Sequence, residues 1–490
     1  MSDQRQRVAV IGGGVSGLAA AYQLAHSDAD LHVSLFEAAE KLGGVVQTEH
    51  ADGYCFELGP DSMLSRQPWA IDLCRRAGIA DKLINTNEAN RGAHVVRRGK
   101  LLRIPDGLAV MAPERIWPFV TTPILSWGGK LRVAAEPFVR RRTDASDESL
   151  AEFARRRLGK EAFDRLVQPL ASGIFMGDPE RLSMEAAFPQ FRQMESTHGS
   201  LVRGARDRRA KRSGAASSGG PRYSLFVAPQ RGIGQMAAAI AEQLGRQCQV
   251  FCNSPVDALQ RGSEGAWLLD IGGGPETRRE AFRGIVIALP AYRAGALLSD
   301  VDPEAAELLD GIHYASCVVV NIAFRRSDVA HPLDSFGFVT PHVERRSLAA
   351  CTFSSVKYQG RAPDDVVLLR AFLGGEKTPQ ALDWTDQRVL DVVQEELREL
   401  LGATGKPLTS RITRWRRSMP QYHVGHQSHV DQIDRRVEHL PRLELAGNAY
   451  HGVGIPQCVR GGQQAGDRLL AALDGAETTQ PINFIGNTHA

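Results

Sequence analysis

The sequence lacks any long hydrophobic run. Hydrophobic residues make up 43% of the 490 residues, yet no uninterrupted apolar stretch reaches the roughly 18 residues that a membrane-spanning helix needs. The nearest candidate, IWPFVTTPILSW at 116–127, is too short and contains two prolines. We therefore expect no transmembrane helix. The N-terminal MSDQRQR runs directly into a strand-like segment, so we also expect no secretory signal.

Cysteine is scarce, and neither sign of charge dominates. The seven cysteines are scattered and odd in number, which favours free thiols in a reducing compartment over a disulfide framework. The 59 basic and 56 acidic residues give a net charge of +3, so the charge balance does not indicate a nucleic-acid partner. Basic runs at 138–142, 154–158 and 205–212 are either solvated surface or contacts with an anionic surface such as lipid headgroups.

The first 37 residues have the pattern of a strand, a turn, a helix and a second strand. RVAVI (7–11) predicts a short buried strand, and LAAAYQLAHS (18–27) predicts a helix. LHVSLFE (31–37) predicts the second strand. GGGVSG (12–17) forms the turn between the first strand and the helix. This order is typical of a unit that binds a dinucleotide.

The glycines of this turn predict the binding chemistry. Gly12 permits a tight turn, Gly14 leaves room for a pyrophosphate against backbone N–H groups, and Gly17 lets the helix pack on the strand. The N-terminus of the helix adds a partial positive charge. Glu37, at the end of the second strand, would accept hydrogen bonds from the ribose hydroxyls. A basic residue at this position would have favoured NADP.

A second glycine pair indicates FAD rather than NAD. Gly43 and Gly44 follow Glu37 closely, in EKLGGVVQTEHADGYCFELGPDS. An NAD enzyme does not need this loop, whereas an extended FAD would leave the helix N-terminus and run along such a backbone. An ordinary glycine turn is the alternative interpretation of the pair.

The rest of the chain alternates helical and strand-like patterns. Helices are predicted at 69–77, at 232–244, at 463–473, and at 149–170 with a break at Gly159. Strand-like runs recur between 248 and 292 and between 314 and 375, and LELAG (443–447) predicts a late strand. The polar, basic GARDRRAKRSGAASSGGPR at 204–222 predicts a disordered loop.

The chain resembles the flavin amine oxidase superfamily, and within it the protoporphyrinogen oxidases. The wider resemblance lies in GGGVSGL, Glu37, LGG and AGNAYHGVG. The narrower one lies in LGPDS, LASGIFMGDPERLSMEAAFP, FGFV, AFLGG, MPQYHVGH and AGNAYHGVGIPQC, which follow the family's order over essentially the whole chain. Amine oxidases usually carry Gly-Glu where this chain has Gly447-Asn448, and that departure favours the porphyrinogen branch.

The resemblance implies an α/β fold with three parts. A discontinuous Rossmann-like FAD-binding domain would comprise 1–85, 225–300 and 410–475. An inserted mixed-sheet substrate-binding domain would comprise 86–110 and 301–409. A helical membrane-associating domain would cover 111–203, followed by the disordered loop; residues 476–490 would form a tail.

The resemblance also implies the site residues. One non-covalent FAD per chain would contact Gly12, Gly14, Ser16, Gly17, Glu37, Gly43, Gly44, Gly59, Pro60, Asp61, Val256, Gly447, Asn448, Gly452, Val453 and Gly454. For the substrate, Arg91 would pair with a propionate, Gly173 would let the ring approach the backbone, and Val339 and Phe372 would sandwich the macrocycle. No metal is expected, because the spacing of His423, His426 and His429 in a glycine-containing loop suits a zinc site poorly.

The implied reaction is the six-electron oxidation of protoporphyrinogen IX to protoporphyrin IX in heme biosynthesis. FAD would take the electrons in three two-electron steps and O₂ would take them from the flavin, giving three H₂O₂; no catalytic side chain is assigned. Arg91 favours protoporphyrinogen, because relatives acting on coproporphyrinogen III often lack an arginine there. Coproporphyrinogen III oxidation, an amine oxidase, a carotenoid desaturase and a silent flavin- or porphyrin-binding protein stay open as alternatives.

The region from about 110 to 200 corresponds to the part that the family uses for membrane binding. Trp117, Phe119, Ile124, Leu125 and Trp127 lie beside FVRRR and predict an interfacial patch. The alternative is that they form the core of the helical domain. We expect peripheral association with the cytoplasmic membrane face, transfer of product to ferrochelatase and no nucleic-acid partner; a homodimer is left open.

Overall fold

A computed structural model describes residues 6–105, 108–109, 111–113, 120–144, 146–214, 224–245, 247–272 and 277–475. The strands within these ranges are β1 Gln6–Ile11, β2 Leu31–Phe36, β3 Thr48–Ala51, β4 Tyr54–Glu57, β5 Met63–Leu64, β6 Leu83–Asn85, β7 His94–Arg97, β8 Lys100–Arg103, β9 Leu108–Ala109, β10 Ala112–Pro113, β11 Phe226–Pro229, β12 Cys248–Phe251, β13 Val256–Arg261, β14 Trp267–Ile271, β15 Arg278–Phe282, β16 Gly284–Ile287, β17 Tyr314–Arg325, β18 Gly337–Val339, β19 Ala350–Phe353, β20 Val366–Gly374, β21 Thr409–Pro420 and β22 Leu443–Leu445.

The helices alternate with these strands along the chain. They are α1 Val15–Ala25, α2 Pro68–Arg76, α3 Trp127–Ala134, α4 Leu150–Leu158, α5 Lys160–Ala162, α6 Gln168–Phe175, α7 Met184–Ala187, α8 Pro189–His198, α9 Leu201–Gly214, α10 Gly234–Leu244, α11 Ala291–Leu298, α12 Pro303–Asp310, α13 Ser354–Lys357, α14 Asp386–Leu401, α15 His426–Val437 and α16 Ile455–Leu473. None of the described helices is long and apolar enough to cross a membrane.

A parallel sheet gathers distant parts of the sequence. Its order is β12–β2–β1–β16–β22, and every neighbouring pair is parallel. Strand β1 is apolar at every position from Val8 to Ile11 because both faces of the sheet are covered. Helices α1, α10 and α16 contribute to one core, and α11 and α15 to the other. The mixed α/β class and the gathering of distant strands agree with the expected FAD fold.

Helix α16 begins at Ile455, earlier than the helix predicted from Gln463. Gly462 lies in the part of the helix that the prediction left out, and it serves the packing of α16. A Cβ atom at Gly462 would lie 2.1 Å from the Ser16 carbonyl oxygen in α1. The two helices therefore approach more closely than a side chain would allow. Residues 455–462 are therefore the first turns of a long helix packed on α1.

The larger mixed sheet has seven strands in the order β21–β17–β20–β19–β18–β7–β8. All its pairs are antiparallel except β7 with β18. One face packs its apolar side chains, including Ala371 and Leu373, against Val389, Val393 and Leu397 of α14. Side chains alternate along β20, so Phe372 faces the other way, away from α14.

The helices α3 to α9, which we call the helical region, have their own core and a buried ion cluster. Arg157 and Glu136 are both fully buried and paired. Glu136 also accepts hydrogen bonds from the Ser200 hydroxyl at 2.6 Å and from the N–H group of Leu201 at 2.9 Å. Because Leu201 begins α9, this carboxylate satisfies the open N–H groups of that helix and complements its dipole.

The ion cluster explains why the prediction of a disordered loop at 204–222 is wrong for its first part. Residues 204–214 belong to helix α9 and are not a disordered loop. The basic, polar composition of this segment suggested disorder, whereas a distant carboxylate fixes the start of the helix. The remainder of the predicted loop, 215–222, and the predicted tail at 476–490 lie outside the described residues.

The predicted interfacial patch is corrected in part. Ile124 and Leu125 are buried in the core of the helical region, so they cannot contact a surface. Trp127 is 72% exposed, and Trp117 and Phe119 lie outside the described residues.

All seven cysteines are free thiols.

Replacing Arg157 by Met should destabilise the helical region, because Glu136 would stay buried without its cation. We expect the free energy of unfolding to fall by about 3–5 kcal/mol, measured by urea denaturation. Arg140→Met, at an exposed arginine of the same region, is the control and should have little effect. Equal stability of the two variants would contradict a structural role for the cluster.

Candidate functional site

The turn between β1 and α1 has the geometry predicted for its first and last glycines. Gly12 has a φ of +102°, and a Cβ atom there would lie 2.5 Å from the Ala288 carbonyl oxygen. A Cβ at Gly17 would lie 1.8 Å from the Gly12 carbonyl oxygen. Neither position accepts a side chain, so the turn and the contact of α1 with the sheet both depend on glycine.

Gly14 faces open space. No atom lies within 4 Å of the position that its Cβ would occupy, and Gly14 caps α1 without a side-chain hydrogen bond. Gly14 also pairs with Gly43 in an isolated parallel bridge, and the Gly43 N–H donates to the Gly13 carbonyl at 2.8 Å. The two glycine motifs therefore lie side by side, and the uncapped N-terminus of α1 is accessible to an anion.

Glu37 lies at the carboxyl end of β2, close to the turn. One carboxylate oxygen accepts from the Gly13 N–H at 2.7 Å, and the other accepts from the Ala39 N–H at 2.8 Å. These bonds fix the carboxylate where a ribose would be recognised. Val256 begins the neighbouring β13, and the preceding loop is joined to the Glu37 carbonyl by the Ser254 N–H at 2.9 Å.

A second uncapped helix N-terminus lies beside the first. Gly454 precedes α16 without a side-chain cap, and α16 runs parallel to α1, because Gly462 contacts Ser16 and Gly466 contacts Gln23. From Ile455 to Gly462, α16 extends about 10 Å beyond the start of α1, at the usual helical rise. The two N-termini therefore offer two regions of positive potential, about 10 Å apart along the common helix direction.

The loop before α16 is held by one tyrosine. The Tyr422 hydroxyl donates to the Asn448 carbonyl at 2.6 Å and accepts from the Gly452 N–H at 2.8 Å. Tyr422 is buried, so these bonds fix the segment that contains Gly447, Asn448, Gly452 and Val453. The fixed, glycine-containing backbone and the open space at Gly14 fit a dinucleotide with an extended aromatic end.

Cys458, in the first turns of α16, is partly buried, and desolvation raises the pKa of its thiol to about 11. Its Sγ lies 3.8 Å from the Gly452 carbonyl oxygen. A protonated thiol is a poor nucleophile. This environment is compatible with the prediction of a non-covalent flavin.

A buried charge cluster joins the loop after β4 to the seven-stranded sheet. Asp61 accepts from Lys357 Nζ at 2.9 Å and lies 3.0 Å from Arg370 Nη2. Arg370 also donates to the Gly59 carbonyl at 3.1 Å. Burial alone would raise the pKa of Asp61, but Arg370 and Lys357 outweigh burial and hold that pKa below its ordinary value. The Asp61 side chain therefore serves the junction, and the backbone of Gly59 and Pro60 passes beside β20.

A second buried carboxylate connects β4 with β3 and with the residue before α10. Glu57 accepts from the Thr48 hydroxyl at 2.6 Å and from the Ile233 N–H at 2.9 Å, and it lies 3.8 Å from Arg361. Burial raises the pKa of Glu57 to about 7. The sequence analysis missed both carboxylate clusters. The usable signal was Arg370, a charged residue in the middle of the apolar strand VVLLRAFLG.

Three of the four predicted substrate residues come together. Val339 pairs with Ala350 across β18 and β19, and Ala350 pairs with Phe372 across β19 and β20. Laterally paired residues point to the same side of a sheet, so Val339 and Phe372 are half-buried on one face, about 10 Å apart. A Cβ at Gly173 in α6 would lie 3.6 Å from Val339 Cγ1.

This arrangement corrects the expected sandwich. Val339 and Phe372 form one wall and do not lie on opposite sides of a ligand. Gly173 contacts Val339 at the edge of that wall. We refer to Val339, Ala350 and Phe372 as the substrate wall.

Arg91 lies apart from the substrate wall. Its position is fixed because the Phe336 N–H donates to the Gly92 carbonyl at 2.9 Å, and because Arg103 donates to the Arg91 carbonyl at 2.7 Å. The Arg91 side chain is exposed, and its guanidinium has no partner within the described part of the chain. Arg91 is therefore placed beside the start of β18, whereas Val339 ends that strand.

Each of the three histidines at or near the start of α15 has a different hydrogen-bond partner. His426 Nε2 lies 3.3 Å from the Tyr450 carbonyl, and His429 Nε2 lies 2.7 Å from the Leu308 carbonyl. His423 Nδ1 accepts from Arg181 at 3.3 Å. Burial lowers the pKa of both His423 and His426 to about 4. Their rings hold loops together and do not converge on one point.

Comparison with known proteins agrees with this geometry. Residues 15–470 match the family described as flavin containing amine oxidoreductase. The chain is 32% identical to coproporphyrinogen III oxidase of Bacillus subtilis, over 96% of this chain and 100% of that protein. It is 29% identical to the mitochondrial protoporphyrinogen oxidase of Nicotiana tabacum, over 96% of each chain.

A solved structure supports the same assignment. A crystal structure from Exiguobacterium sp. 255-15, provisionally assigned as a protoporphyrinogen oxidase, superimposes with a TM-score of 0.83 at 30% identity, covering 96% of this chain and 99% of that one. The chain belongs to the flavin-containing amine oxidoreductase family, among its porphyrinogen oxidases, and its cofactor is FAD.

Proposed function

We propose that this protein oxidises a porphyrinogen to the corresponding porphyrin, with loss of six electrons and transfer of those electrons to O₂ as three H₂O₂. The observation that carries the proposal is the position of the substrate wall beside the loop of Gly59, Pro60 and Asp61, which is predicted to bind the flavin. We refer to this loop as the cofactor loop. Phe372 follows Arg370 on the same face of β20, and Arg370 binds the Gly59 carbonyl and Asp61. An apolar wall that adjoins a flavin-binding loop suits a flat hydrophobic macrocycle.

The chain's contribution is binding, orientation and exclusion of water. Bound FAD supplies the hydride acceptor and the route of electrons to O₂. The N-terminus of α1 would hold the pyrophosphate, and the more advanced N-terminus of α16 would place positive potential beside the isoalloxazine ring. Val339 and Phe372 would orient the macrocycle by apolar contact. Orientation accounts for a large part of catalysis when no side-chain acid or base is needed.

We further propose coproporphyrinogen III as the preferred substrate. Three bacterial relatives named coproporphyrinogen III oxidase are 30–33% identical to this chain, whereas the plant relatives named protoporphyrinogen oxidase are 27–29% identical. Coproporphyrinogen III carries four propionates, and basic side chains flank both ends of β18. Arg91 lies near Phe336, and Lys377 donates to the Thr340 carbonyl.

Protoporphyrinogen IX is the second candidate. Arg91 favours it in the sequence analysis, because relatives that act on coproporphyrinogen III often lack this arginine. The plant relatives carry the corresponding name. Because protoporphyrinogen IX carries propionates on only one edge of the macrocycle, its binding needs cations at one end of β18 rather than at both.

Side-by-side turnover distinguishes the two substrates. We expect the FAD-loaded protein to consume O₂ with both porphyrinogens and to have the higher kcat/KM for coproporphyrinogen III, because that substrate engages cations at both ends of β18. Oxygen consumption and porphyrin fluorescence report the rates. A higher kcat/KM for protoporphyrinogen IX would reject the substrate proposal, and absence of turnover with both would reject the function.

Replacing Arg91 by Ala should raise the KM for the porphyrinogen about tenfold or more, since a hydrogen bond to a charged group contributes about 1.5–3 kcal/mol. The matched control is Arg325→Ala, at an exposed arginine at the end of β17 in the same sheet. An Arg91→Ala KM equal to that of the control would remove Arg91 from the site.

We also propose that the helical region rests on a membrane surface. Trp127, Leu131 and Phe138 are 72%, 70% and 86% exposed; Trp127 and Leu131 lie one turn apart on α3. Lys130 lies over the Trp127 ring at 4.6 Å, and Arg140 and Arg141 follow Phe138. Exposed apolar side chains beside cations are typical of an interfacial contact with anionic lipid. The cytoplasmic face, transfer to ferrochelatase and a homodimer stay predictions from the resemblance.

Flotation with lipid vesicles tests this contact. Wild-type protein should float with vesicles containing anionic lipid at low salt, and less at high salt because surface charges are screened. The triple variant Trp127→Ser, Leu131→Ser, Phe138→Ser should stay at the bottom of the gradient. The control Leu408→Ser, at an exposed leucine elsewhere, should float with the vesicles. Flotation of the triple variant would contradict the proposed patch.

A further inference from the structure

A small cavity of about 10 Å³, with several polar residues in its lining, lies next to the substrate wall. Ser172 and Met176 of α6 line one side, and the other side is formed by Thr340, His342, Gly374 and Lys377. Lys377 is the cation at one end of β18, and the other polar groups of this space have no part in the proposed cofactor and propionate contacts. We call this space the Lys377 cavity.

The Lys377 cavity is continuous with the predicted substrate contacts. Ser172 and Met176 flank Gly173 on α6, and Thr340 directly follows Val339. Gly374 lies on the same face of β20 as Phe372, since side chains alternate along a strand. A macrocycle lying against the substrate wall would therefore bring one of its edges to the mouth of this cavity.

Lys377 has no carboxylate in direct contact with its ammonium group. Its Nζ donates to the Thr340 and Leu348 carbonyls, both at 3.1 Å, which leaves one of three N–H donors without a partner. It forms no ion pair with any carboxylate in the described ranges, and burial lowers its pKa to about 8. A half-buried ammonium group with one unused N–H donor and no direct ion pair favours an anion beside it.

Two further groups in the cavity are unpaired. The Thr340 hydroxyl is buried, with the residue 2% exposed, and it has no hydrogen-bond partner among the described residues. The His342 backbone N–H donates to Gln168 Oε1 at 2.8 Å, but no described residue binds its ring nitrogens. A buried hydroxyl without a partner normally costs about 1–3 kcal/mol, so a ligand that accepts its proton would be favoured.

We propose that the Lys377 cavity binds a propionate of the porphyrinogen, with Lys377 Nζ and the Thr340 hydroxyl donating to the carboxylate. This inference rests on the proposed function and specifies its substrate. From Phe336 to Thr340 the chain extends about 13 Å, so the cavity and Arg91 serve opposite edges of one macrocycle. Coproporphyrinogen III carries propionates on the edge where protoporphyrinogen IX carries vinyl groups. Lys377 is thus a specificity-determining residue for the tetracarboxylate.

The test measures affinity rather than turnover. Coproporphyrin III, its tetramethyl ester and protoporphyrin IX are titrated into the FAD-loaded protein, and binding is followed by quenching of porphyrin fluorescence. The variants are Lys377→Met and the near-isosteric Thr340→Val. Lys406→Met, at an exposed lysine on another surface, is the control. Because Thr340→Val keeps the charge and the shape, it tests the site even if Lys377→Met fails to retain FAD.

The proposal predicts a selective loss. Lys377→Met should weaken coproporphyrin III binding about tenfold or more, and Thr340→Val about threefold to tenfold, the ranges for charged and neutral hydrogen bonds. Protoporphyrin IX and the tetramethyl ester should bind all four proteins with affinities equal within about twofold. Lys377→Arg should recover most of the loss because it restores the charge.

Three results would overturn the proposal. Unchanged coproporphyrin III affinity in Lys377→Met or Thr340→Val would remove the cavity from substrate binding. Equal weakening for both porphyrins would place it at a propionate that the two share. An equal loss with the tetramethyl ester would show a packing effect rather than carboxylate recognition. Failure of the wild-type protein to oxidise either porphyrinogen would instead reject the proposed function.

Discussion

The loop after β4 and the seven-stranded sheet are held together by buried opposite charges. Asp61, from the loop after β4, is paired with Lys357 and Arg370, which belong to a different part of the chain. Removing one partner from such a buried cluster costs about 3–5 kcal/mol, because the others stay buried and uncompensated. The pairing also fixes geometry: the arginine that binds Asp61 lies on the same strand face as Phe372. The relative position of the predicted flavin and substrate contacts thus depends on this pairing.

Two parallel helices give the predicted cofactor site its direction. Helix α16 packs on α1 through Gly462, and it starts about 10 Å ahead of α1 along their common axis. One N-terminus therefore suits the pyrophosphate, and the other suits the ring end of an extended dinucleotide. A shorter α16 would lose the second role. Gly462 permits the close packing of α16 on α1, and this packing sets where the N-terminus of α16 lies relative to the predicted cofactor.

Local patterns predicted the parts of the site that depend on backbone geometry. Gly12, Gly14 and Gly17 are needed for a turn within a few residues of one another, so their spacing carried the information. The start of α16, the helical state of 204–214 and the burial of Ile124 were missed, because each depends on a partner distant in sequence. Glu136, for example, fixes α9 from an earlier segment. Lys357 and Lys377 could not be assigned from sequence, since a lysine's partner is visible only after folding.

The central claim is that a porphyrinogen reduces the FAD bound at this site. Anaerobic mixing of the FAD-loaded protein with coproporphyrinogen III, followed by flavin absorbance in a stopped-flow instrument, tests it directly. The account predicts loss of the oxidised-flavin absorbance at a rate that saturates with porphyrinogen concentration, and formation of porphyrin fluorescence after O₂ is admitted. A flavin that stays oxidised in the presence of excess coproporphyrinogen III and protoporphyrinogen IX would contradict the account.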